Sequence, residues 1–205
     1  MKIQLNSTGK RFRWEWIFRD VTMTIGSGDV CAVYGPNGSG KSTFLKVLSG
    51  YLTPSEGNVD WFLAEKKLTR NAVFRHVAYA APYVELIEEF SIREMVEFHV
   101  SFQTAVHGLS VPEMIDLIGL PRAGNKQIRN FSSGMKQRLK LGLAILTDRP
   151  LLLLDEPGTN LDTPSHEWYL ALLERFRHNR TVVIASNEDR DFVACNSHIS
   201  ITDYK

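Results

Sequence analysis

A glycine-rich stretch near the start of the chain has the residue types and spacing of a phosphate-binding loop. Residues 35–43 read Gly-Pro-Asn-Gly-Ser-Gly-Lys-Ser-Thr and match the pattern G-x-x-x-x-G-K-S/T. Glycines lack a Cβ atom, so the backbone can curl and direct several N–H groups at one phosphate. The pattern predicts a nucleotide site in preference to a chance glycine turn, and its members are Gly35, Pro36, Asn37, Gly38, Ser39, Gly40, Lys41, Ser42 and Thr43.

Two residues of this loop have side chains suited to a bound nucleoside triphosphate. Lys41 would place a positive charge beside the β- and γ-phosphates. The Ser42 hydroxyl would bind Mg²⁺, which prefers oxygen ligands. The apolar residues 30–34 precede the loop as a buried strand, and residues 41–49 follow it as a helix that adds the positive end of its dipole.

Two carboxylates follow a run of four leucines later in the chain. Residues 151–154 are short and wholly apolar, which is typical of a buried parallel strand, and Asp155 and Glu156 come next. Such a strand delivers carboxylates to the sheet edge where a phosphate loop also lies. We expect Asp155 to hold Mg²⁺, directly or through water, and Glu156 to polarise the attacking water. Alone, the pattern more often marks a solvated strand end; beside the loop, the metal site is favoured.

A third motif opens a helix between the loop and the acidic pair. Residues 131–138 read Phe-Ser-Ser-Gly-Met-Lys-Gln-Arg. Ser132 and Gly134 would begin a helix, and a helix start built from small polar residues suits an anion. For this motif alone an ordinary helix N-cap is the simpler interpretation, but its position in the chain favours an anion site.

Alternating strand and helix patterns must position these motifs. The sequence predicts an α/β domain around a mainly parallel sheet, with buried strands at 30–34, 151–154 and 181–185 and a last strand at 199–201. A β-rich N-terminal part is predicted from strands at 3–6, 21–25 and 59–63. Helices are predicted at 41–49 and 164–178. From 83 to 130 helical periodicity replaces the strand pattern, which indicates a helical insert.

The composition of the chain argues against several other classes of protein. The chain has 205 residues, of which 43% are hydrophobic, enough for one domain with an insertion. With 24 basic and 23 acidic residues the net charge is +1, so no nucleic-acid partner is expected. Cys31 and Cys195 are too few for a disulfide scaffold. No run approaches the roughly 18 apolar residues of a membrane span, so we expect a cytosolic protein.

The three motifs, in this order, resemble those of the ABC ATPases, the nucleotide-binding subunits of ABC transporters. Residues 35–43 correspond to the Walker A motif and 151–156 to Walker B, while 131–138 resemble the signature Leu-Ser-Gly-Gly-Gln that often continues to Gln-Arg. The resemblance covers the whole chain. It implies one ABC ATPase domain over 1–205: a P-loop NTPase core with an antiparallel β subdomain, formed by 1–82 and 131–205, and an α-helical subdomain at 83–130.

The resemblance also implies how ATP and Mg²⁺ would be held. In the family two subunits sandwich two ATP molecules, so Ser132, Ser133 and Gly134 would contact the γ-phosphate bound by the partner subunit. Phe12 stands where the family has an aromatic residue that stacks on adenine; a core or hairpin aromatic is an equal alternative. Residues 160–162, ending in Asp162, resemble the loop that communicates across the dimer.

Two positions depart from the family pattern. Pro82 occupies the position of a glutamine that contacts Mg²⁺, so that contact would be absent, or made by water or, as the weaker alternative, by Glu85. Asn187 occupies the position of a histidine that reaches the γ-phosphate, and it can donate a hydrogen bond but carry no charge. Asn187 could equally cap a helix at 188–192. Both changes predict slow or altered hydrolysis with ATP binding retained.

The function implied is a Mg-dependent ATPase subunit that powers an ABC transporter through ATP-driven dimer closure. Its partners would be a second ATPase subunit and a separate membrane permease, which would hold it at the cytoplasmic face of the membrane. Two alternatives stay open: an ABC ATPase outside transport, and a weakly hydrolysing ATP-binding subunit paired with a competent partner. The substrate, and whether it is imported or exported, does not follow from this chain.

Overall fold

The computed structural model describes residues 1–120, 126–192 and 195–205, and the chain divides into two compact units. The first comprises Met1–Val77, Arg149–Glu156 and Asn179–Lys205, and the second Ala78–Asp148 and Pro157–His178. Residues 121–125, inside the predicted insert, lie outside the described residues. The predicted subdomain boundaries at 82 and 130 stay a prediction.

The strands are β1 (Lys2–Phe12), β2 (Glu15–Ile25), β3 (Val30–Tyr34), β4 (Glu56–Leu63), β5 (Lys66–Leu68), β6 (Val77–Ala80), β7 (Leu151–Asp155), β8 (Thr181–Ser186) and β9 (Ser197–Ser200). The α-helices are α1 (Lys41–Leu48), α2 (Arg70–Val73), α3 (Ile92–Phe102), α4 (Val111–Ile118), α5 (Ser133–Ile145) and α6 (Thr163–Phe176). Among the described residues, no helix is both long enough and apolar enough to cross a membrane.

An antiparallel sheet in the first unit has the strand order β2-β1-β4-β5. β1 and β2 form a hairpin with Arg13 and Trp14 at its turn. The pairing of β1 with β2 shifts register between Leu5 and Thr8, and again near Lys10. A register shift breaks the alternation of apolar and polar residues, so the sequence pattern detected only the first part of β1, at 3–6, and the last part of β2, at 21–25.

A parallel arrangement in the same unit has the order β7-β8-β3-β9. All residues of β7 and β8 are buried, which explains their continuously apolar sequences. The pairing is regular: Tyr34 lies opposite Ser186, and Asp155 lies opposite Ala185. The carboxyl ends of β3, β7 and β8 therefore meet at one edge. The predicted α/β class, with a parallel sheet and an antiparallel sheet, is confirmed.

Helix α1 is fixed to the antiparallel sheet by aromatic side chains. The rings of Phe18 and Phe44 pack edge to face with centroids 5.4 Å apart. The buried Trp61 donates its indole N–H to the carbonyl oxygen of Leu48 at 2.7 Å. Because the last carbonyls of a helix have no partner within the helix, this bond also caps α1.

The second unit contains α3, α4, α5 and α6. Capping boxes begin α3 and α4, formed by Ser91 with Glu94 and by Ser110 with Glu113. A Cβ atom added to Gly142 would lie 2.5 Å from Ile118 Cγ1, so the absence of a side chain lets α4 and α5 approach closely.

The structure corrects three local predictions. The predicted helix at 188–192 is a 3₁₀ turn, Asp189–Phe192. The last strand is Ser197–Ser200, and Ile201 begins another 3₁₀ turn. β5 and α2 were not predicted, because three and four residues are too short to show a period.

The indole bond of Trp61 predicts a measurable share of the stability. Trp61→Phe leaves the Leu48 carbonyl without this donor and should lower the free energy of unfolding by about 2 kcal/mol. The matched control is Trp14→Phe at a side chain that is 90% exposed, with an expected change of at most about 0.5 kcal/mol. Urea unfolding with an unchanged slope measures both; equal losses would contradict the role of Trp61.

Candidate functional site

The phosphate loop connects β3 to α1 in the first unit, as predicted. Gly38 and Gly40 have positive φ angles of 78° and 110°, which other residues rarely adopt. A Cβ atom at Gly40 would also lie 2.4 Å from Ile17 Cγ2. Conformation and space both require glycine at position 40, immediately before the first residue of α1.

Lys41 lies inside the loop, with only 5% of the residue exposed. Its Nζ atom donates to the carbonyl oxygens of Gly35 and Pro36 at 2.8 and 3.3 Å. The same atom forms an ion pair with Glu156 Oε1 at 2.9 Å. The structure thus brings together the predicted phosphate-binding lysine and the predicted general base.

Asp155 and Glu156 occupy the end of β7 and the position just past it. Asp155 is almost fully buried, and Glu156 is partly exposed. The backbone N–H of Glu156 donates to Ala185 O at 2.7 Å. Glu156 has φ +49°, a left-handed conformation that is uncommon for a residue with a side chain. The two carboxylates therefore lie at the predicted edge, on a constrained backbone.

Ser186, at the end of β8, was missed from the sequence. Its buried hydroxyl donates to Asp191 Oδ2 at 2.6 Å and approaches Glu156 Oε2 at 3.5 Å. It also accepts the backbone N–H of Glu188 at 3.0 Å. Asn187 is exposed, and the bond that begins this turn is made by Ser186. The catalytic role of Asn187 stays a prediction.

The loop has the features that a phosphate group requires. The Ser39 hydroxyl oxygen is buried without a hydrogen-bond partner within the described part of the chain. The free N–H groups at the start of α1 and the charge of Lys41 complete a cradle for an anion. The residues present therefore fit a nucleotide phosphate.

A magnesium ion would find oxygen ligands here rather than a complete protein site. Ser42 is the second residue of α1, next to Lys41, and Asp155 is the last residue of β7. Across residues 1–120, 126–192 and 195–205, no group of three or more His, Cys, Asp or Glu residues could hold a metal. Such a donor set fits Mg²⁺ that shares its ligands with a nucleotide, since this ion commonly takes one or two protein oxygens plus phosphates.

Phe12 ends β1 opposite Glu15 and is half exposed. The Nζ atom of Lys10 lies 5.1 Å from the centre of its ring. The hairpin alternative is therefore correct for its location, while stacking on adenine stays a prediction. Trp14, at the turn, is a second exposed aromatic side chain that the sequence analysis did not single out.

The signature residues begin α5 in the second unit. The Ser132 hydroxyl accepts the backbone N–H of Met135 at 3.2 Å, so Ser132 is the N-cap of this helix. Ser133 and Gly134 form the first turn. A Cβ atom at Gly134 would lie 2.8 Å from the carbonyl oxygen of Asn160. The start of the helix thus contacts the loop that precedes α6.

Two further side chains of α5 contact other parts of the second unit. The buried Gln137 donates from Nε2 to the carbonyl oxygen of Pro157 at 3.0 Å. Arg138 donates to Ile118 O at 2.6 Å and lies over the Trp168 ring, 4.2 Å from its centre. Both residues belong to the quoted Lys-Gln-Arg extension of the signature, so their position carried a signal, but the sequence did not reveal their partners.

Asp162, the last residue of the loop that resembles the communicating loop, is the N-cap of α6. Its Oδ1 atom accepts the backbone N–H of Ser165 at 3.0 Å. Hydrogen bonding to Ser165, helped by the charge of Arg138, lowers the pKa of the Asp162 carboxyl. Burial lowers the pKa of the Arg138 guanidinium, and Asp162 opposes that effect.

Pro82 follows β6 and offers only its carbonyl oxygen. Lys140 of α5 donates to that oxygen from Nζ at 2.6 Å. Lys136 pairs with Glu88 Oε1 at 2.5 Å, which ties the same segment to α5 a second time. Burial, followed by repulsion from Lys136, lowers the pKa of Lys140.

A glycine loop between a parallel strand and a helix, with carboxylates at the end of a neighbouring strand, defines a P-loop nucleotide-binding fold. The family model described as ABC transporter matches residues 18–159. The chain belongs to this family, as an ABC transporter ATP-binding nucleotide-binding domain.

Individual relatives agree with this assignment. The energy-coupling factor transporter ATP-binding protein EcfA1 of Thermotoga maritima is 32% identical over 98% of this chain and 79% of its own length. The ABC transporter ATP-binding protein YcbN of Bacillus subtilis is 30% identical over 78% of this chain. The match spans about half (52%) of the length of YcbN.

A solved structure shows the same fold. It is a dimeric post-hydrolysis state of the ATP-binding cassette MJ0796 bound to ADP and Pi, with a TM-score of 0.82. It is 23% identical in sequence, and the match covers 98% of this chain and 94% of that one.

The close contact at Gly40 can be tested against a second left-handed glycine. Gly28 has φ +89°, but a Cβ atom there would meet nothing within 4 Å. Gly28→Ala should therefore cost only the conformational term, about 1 kcal/mol, whereas Gly40→Ala should cost about 3 kcal/mol because it also collides with Ile17. Urea unfolding of both variants measures the difference, and equal losses would contradict the steric argument.

Proposed function

We propose that this chain is the Mg-dependent ATP-hydrolysing subunit of an ABC transporter. The observation that carries the proposal is the ion pair between the buried Lys41 and the partly exposed Glu156, at the sheet edge where Asp155 also lies. Phosphate-binding and water-activating groups within 2.9 Å of each other suit attack on a terminal phosphate. The family membership and the transporter role in the name of EcfA1 support the same function.

On ATP binding, Lys41 would exchange its ion pair with Glu156 for contacts with the phosphates. The loop N–H groups and Lys41 Nζ would hold the β- and γ-phosphates, and Glu156 would lose its positive partner. Ser42 and Asp155 are the residues that would hold Mg²⁺. When bound, this ion supplies charge that neutralises the phosphate oxygens during transfer.

Glu156 would then act as general base. Its carboxylate would accept a proton from a water molecule as the water oxygen attacks the γ-phosphorus, and the bond to the β-phosphate oxygen would break to give ADP and phosphate. Asn187 would donate a hydrogen bond to a phosphate oxygen without supplying charge. With Pro82 lacking a side chain that binds metal, both departures support slow turnover.

The signature residues would serve a second subunit. Ser132, Ser133 and Gly134 would complete the ATP site of that partner, Asp162 would lie at the communicating loop, and Phe12 would stack on adenine. The dimeric state of MJ0796 with ADP and Pi is consistent with this assembly. We further propose that residues 1–205 form one ATPase domain, held at the cytoplasmic face of a membrane by a separate permease.

The variant Glu156→Gln tests the proposed function. Its amide cannot accept the proton of water, so we expect the turnover of ATP to fall by about 10²- to 10⁴-fold. ATP should still bind, because the loop and Lys41 are intact, and the variant should accumulate as a dimer. Turnover is measured by phosphate release and dimerisation by size-exclusion chromatography with and without ATP.

A matched control for this variant is Glu174→Gln. Glu174 pairs with Arg177 on the exposed surface of α6, so the same change of charge should leave turnover unaltered. Glu156→Gln with the turnover of the parent would show that Glu156 is not the base. Parent protein that copurifies with nucleic acid and has no membrane partner would instead favour an ABC ATPase outside transport.

The variant Asn187→His tests the reason for slow hydrolysis. A histidine can carry positive charge toward the γ-phosphate, so turnover should rise by about tenfold near pH 6.5 and less at pH 8, where imidazole is neutral. Steady-state phosphate release at both pH values measures the effect. No increase at either pH would contradict the role assigned to position 187.

A further inference from the structure

The backbone at Glu156 adopts a conformation that its own sequence disfavours. Its φ of +49° lies in the left-handed region, which costs a residue with a Cβ atom roughly 1–2 kcal/mol. Glu156 also precedes Pro157, and the proline ring disfavours helical conformations in the residue before it. Such a conformation persists only where the surrounding structure holds it in place.

Two hydrogen bonds hold the backbone on either side of Glu156. On the N-terminal side of its Cα atom, the N–H of Glu156 donates to Ala185 O at 2.7 Å. On the C-terminal side, the carbonyl oxygen of the next residue, Pro157, accepts a hydrogen bond from Gln137 Nε2 at 3.0 Å. The proline ring locks its own φ, so only three soft torsions separate the two bonds: φ and ψ of Glu156 and ψ of Pro157. With both bonds in place, the direction of the Glu156 side chain is nearly fixed.

The hydrogen bond from Gln137 is made by a side chain, whereas the bond between Glu156 and Ala185 joins two backbone groups. Gln137 is 4% exposed, lies on α5 and follows Gly134 by one turn. Gly134 in turn approaches the Asn160 carbonyl, so α5 contacts the loop at both of these points. The amide of Gln137 is therefore carried by a helix and binds Pro157, the residue next to the proposed general base.

We propose that Gln137 is a positioning residue for ATP hydrolysis, which holds the Glu156 carboxylate in its productive direction by binding the Pro157 carbonyl. Gln137 would act through the peptide bond that joins Glu156 to Pro157. The inference rests on the proposed role of Glu156 as general base.

The central variant is Gln137→Leu, which gives an apolar side chain of similar size and removes the hydrogen-bond donor. We expect kcat for ATP to fall about tenfold, because a misdirected carboxylate rarely meets the attacking water. KM for ATP should change less than about twofold, because the phosphate loop is untouched. The matched control is Gln103→Leu in the same unit, for which both constants should equal those of the parent.

Two more measurements separate positioning from a general loss of structure. In the Glu156→Gln background, Gln137→Leu should cause no further loss of the residual turnover, because its only route of action is gone. The variant Gln137→Glu should hydrolyse ATP best at low pH, where its protonated carboxyl still donates to Pro157 O. Its kcat relative to the parent should fall as pH rises and the carboxyl ionises.

Hydrogen exchange of the amides at 158–162 gives a readout that does not depend on hydrolysis. Gln137→Leu should speed exchange there severalfold, while Gln103→Leu should not. Unchanged exchange, unchanged kcat, or an equal loss in the Glu156→Gln background would each overturn the inference. A parent chain without ATP turnover would contradict the proposed function alone, and the exchange measurement would still decide whether Gln137 holds this segment.

Discussion

Parallel pairing in exact register is the constraint on which the candidate site depends. Because Tyr34 lies opposite Ser186 and Asp155 lies opposite Ala185, three strands deliver their last residues to one edge of the sheet. The phosphate loop, the acidic pair and the Ser186 hydroxyl all begin there. A shift of one residue in any of these strands would turn the side chains to the opposite face and dismantle the arrangement.

Compensation of buried charge stabilises the conformation of the phosphate loop. An ammonium group as buried as that of Lys41 would be costly if it had no partner. Two loop carbonyls and the Glu156 carboxylate satisfy it. The same contacts turn the carbonyls of Gly35 and Pro36 toward Lys41, which leaves the opposite, N–H side of the loop available to an anion.

Much of this site could be predicted because its signals are local. The loop, the leucine strand and the acidic pair each consist of neighbouring residues whose pattern has one dominant physical reason. The sequence did not reveal the partners of Ser186 and Gln137, because a buried hydroxyl and a buried amide here bind groups that are distant in sequence. It also did not reveal that the ring of Trp14 is exposed, because exposure depends on the folded structure. The full length of β1 was hidden for another reason: its register shifts interrupt the alternation that marks a strand.

The dipeptide Glu156–Pro157, which is held by a hydrogen bond at each end, also determines where this chain can accept an inserted residue. An added residue beside Arg13 would only enlarge an exposed hairpin turn, a place where insertions are tolerated. An added residue between Asp155 and Pro157 would displace one of two hydrogen bonds or carry the carboxylate away from Lys41. Loops usually tolerate insertions. The segment from Asp155 to Pro157 should not tolerate one, whereas the hairpin turn at Arg13 should.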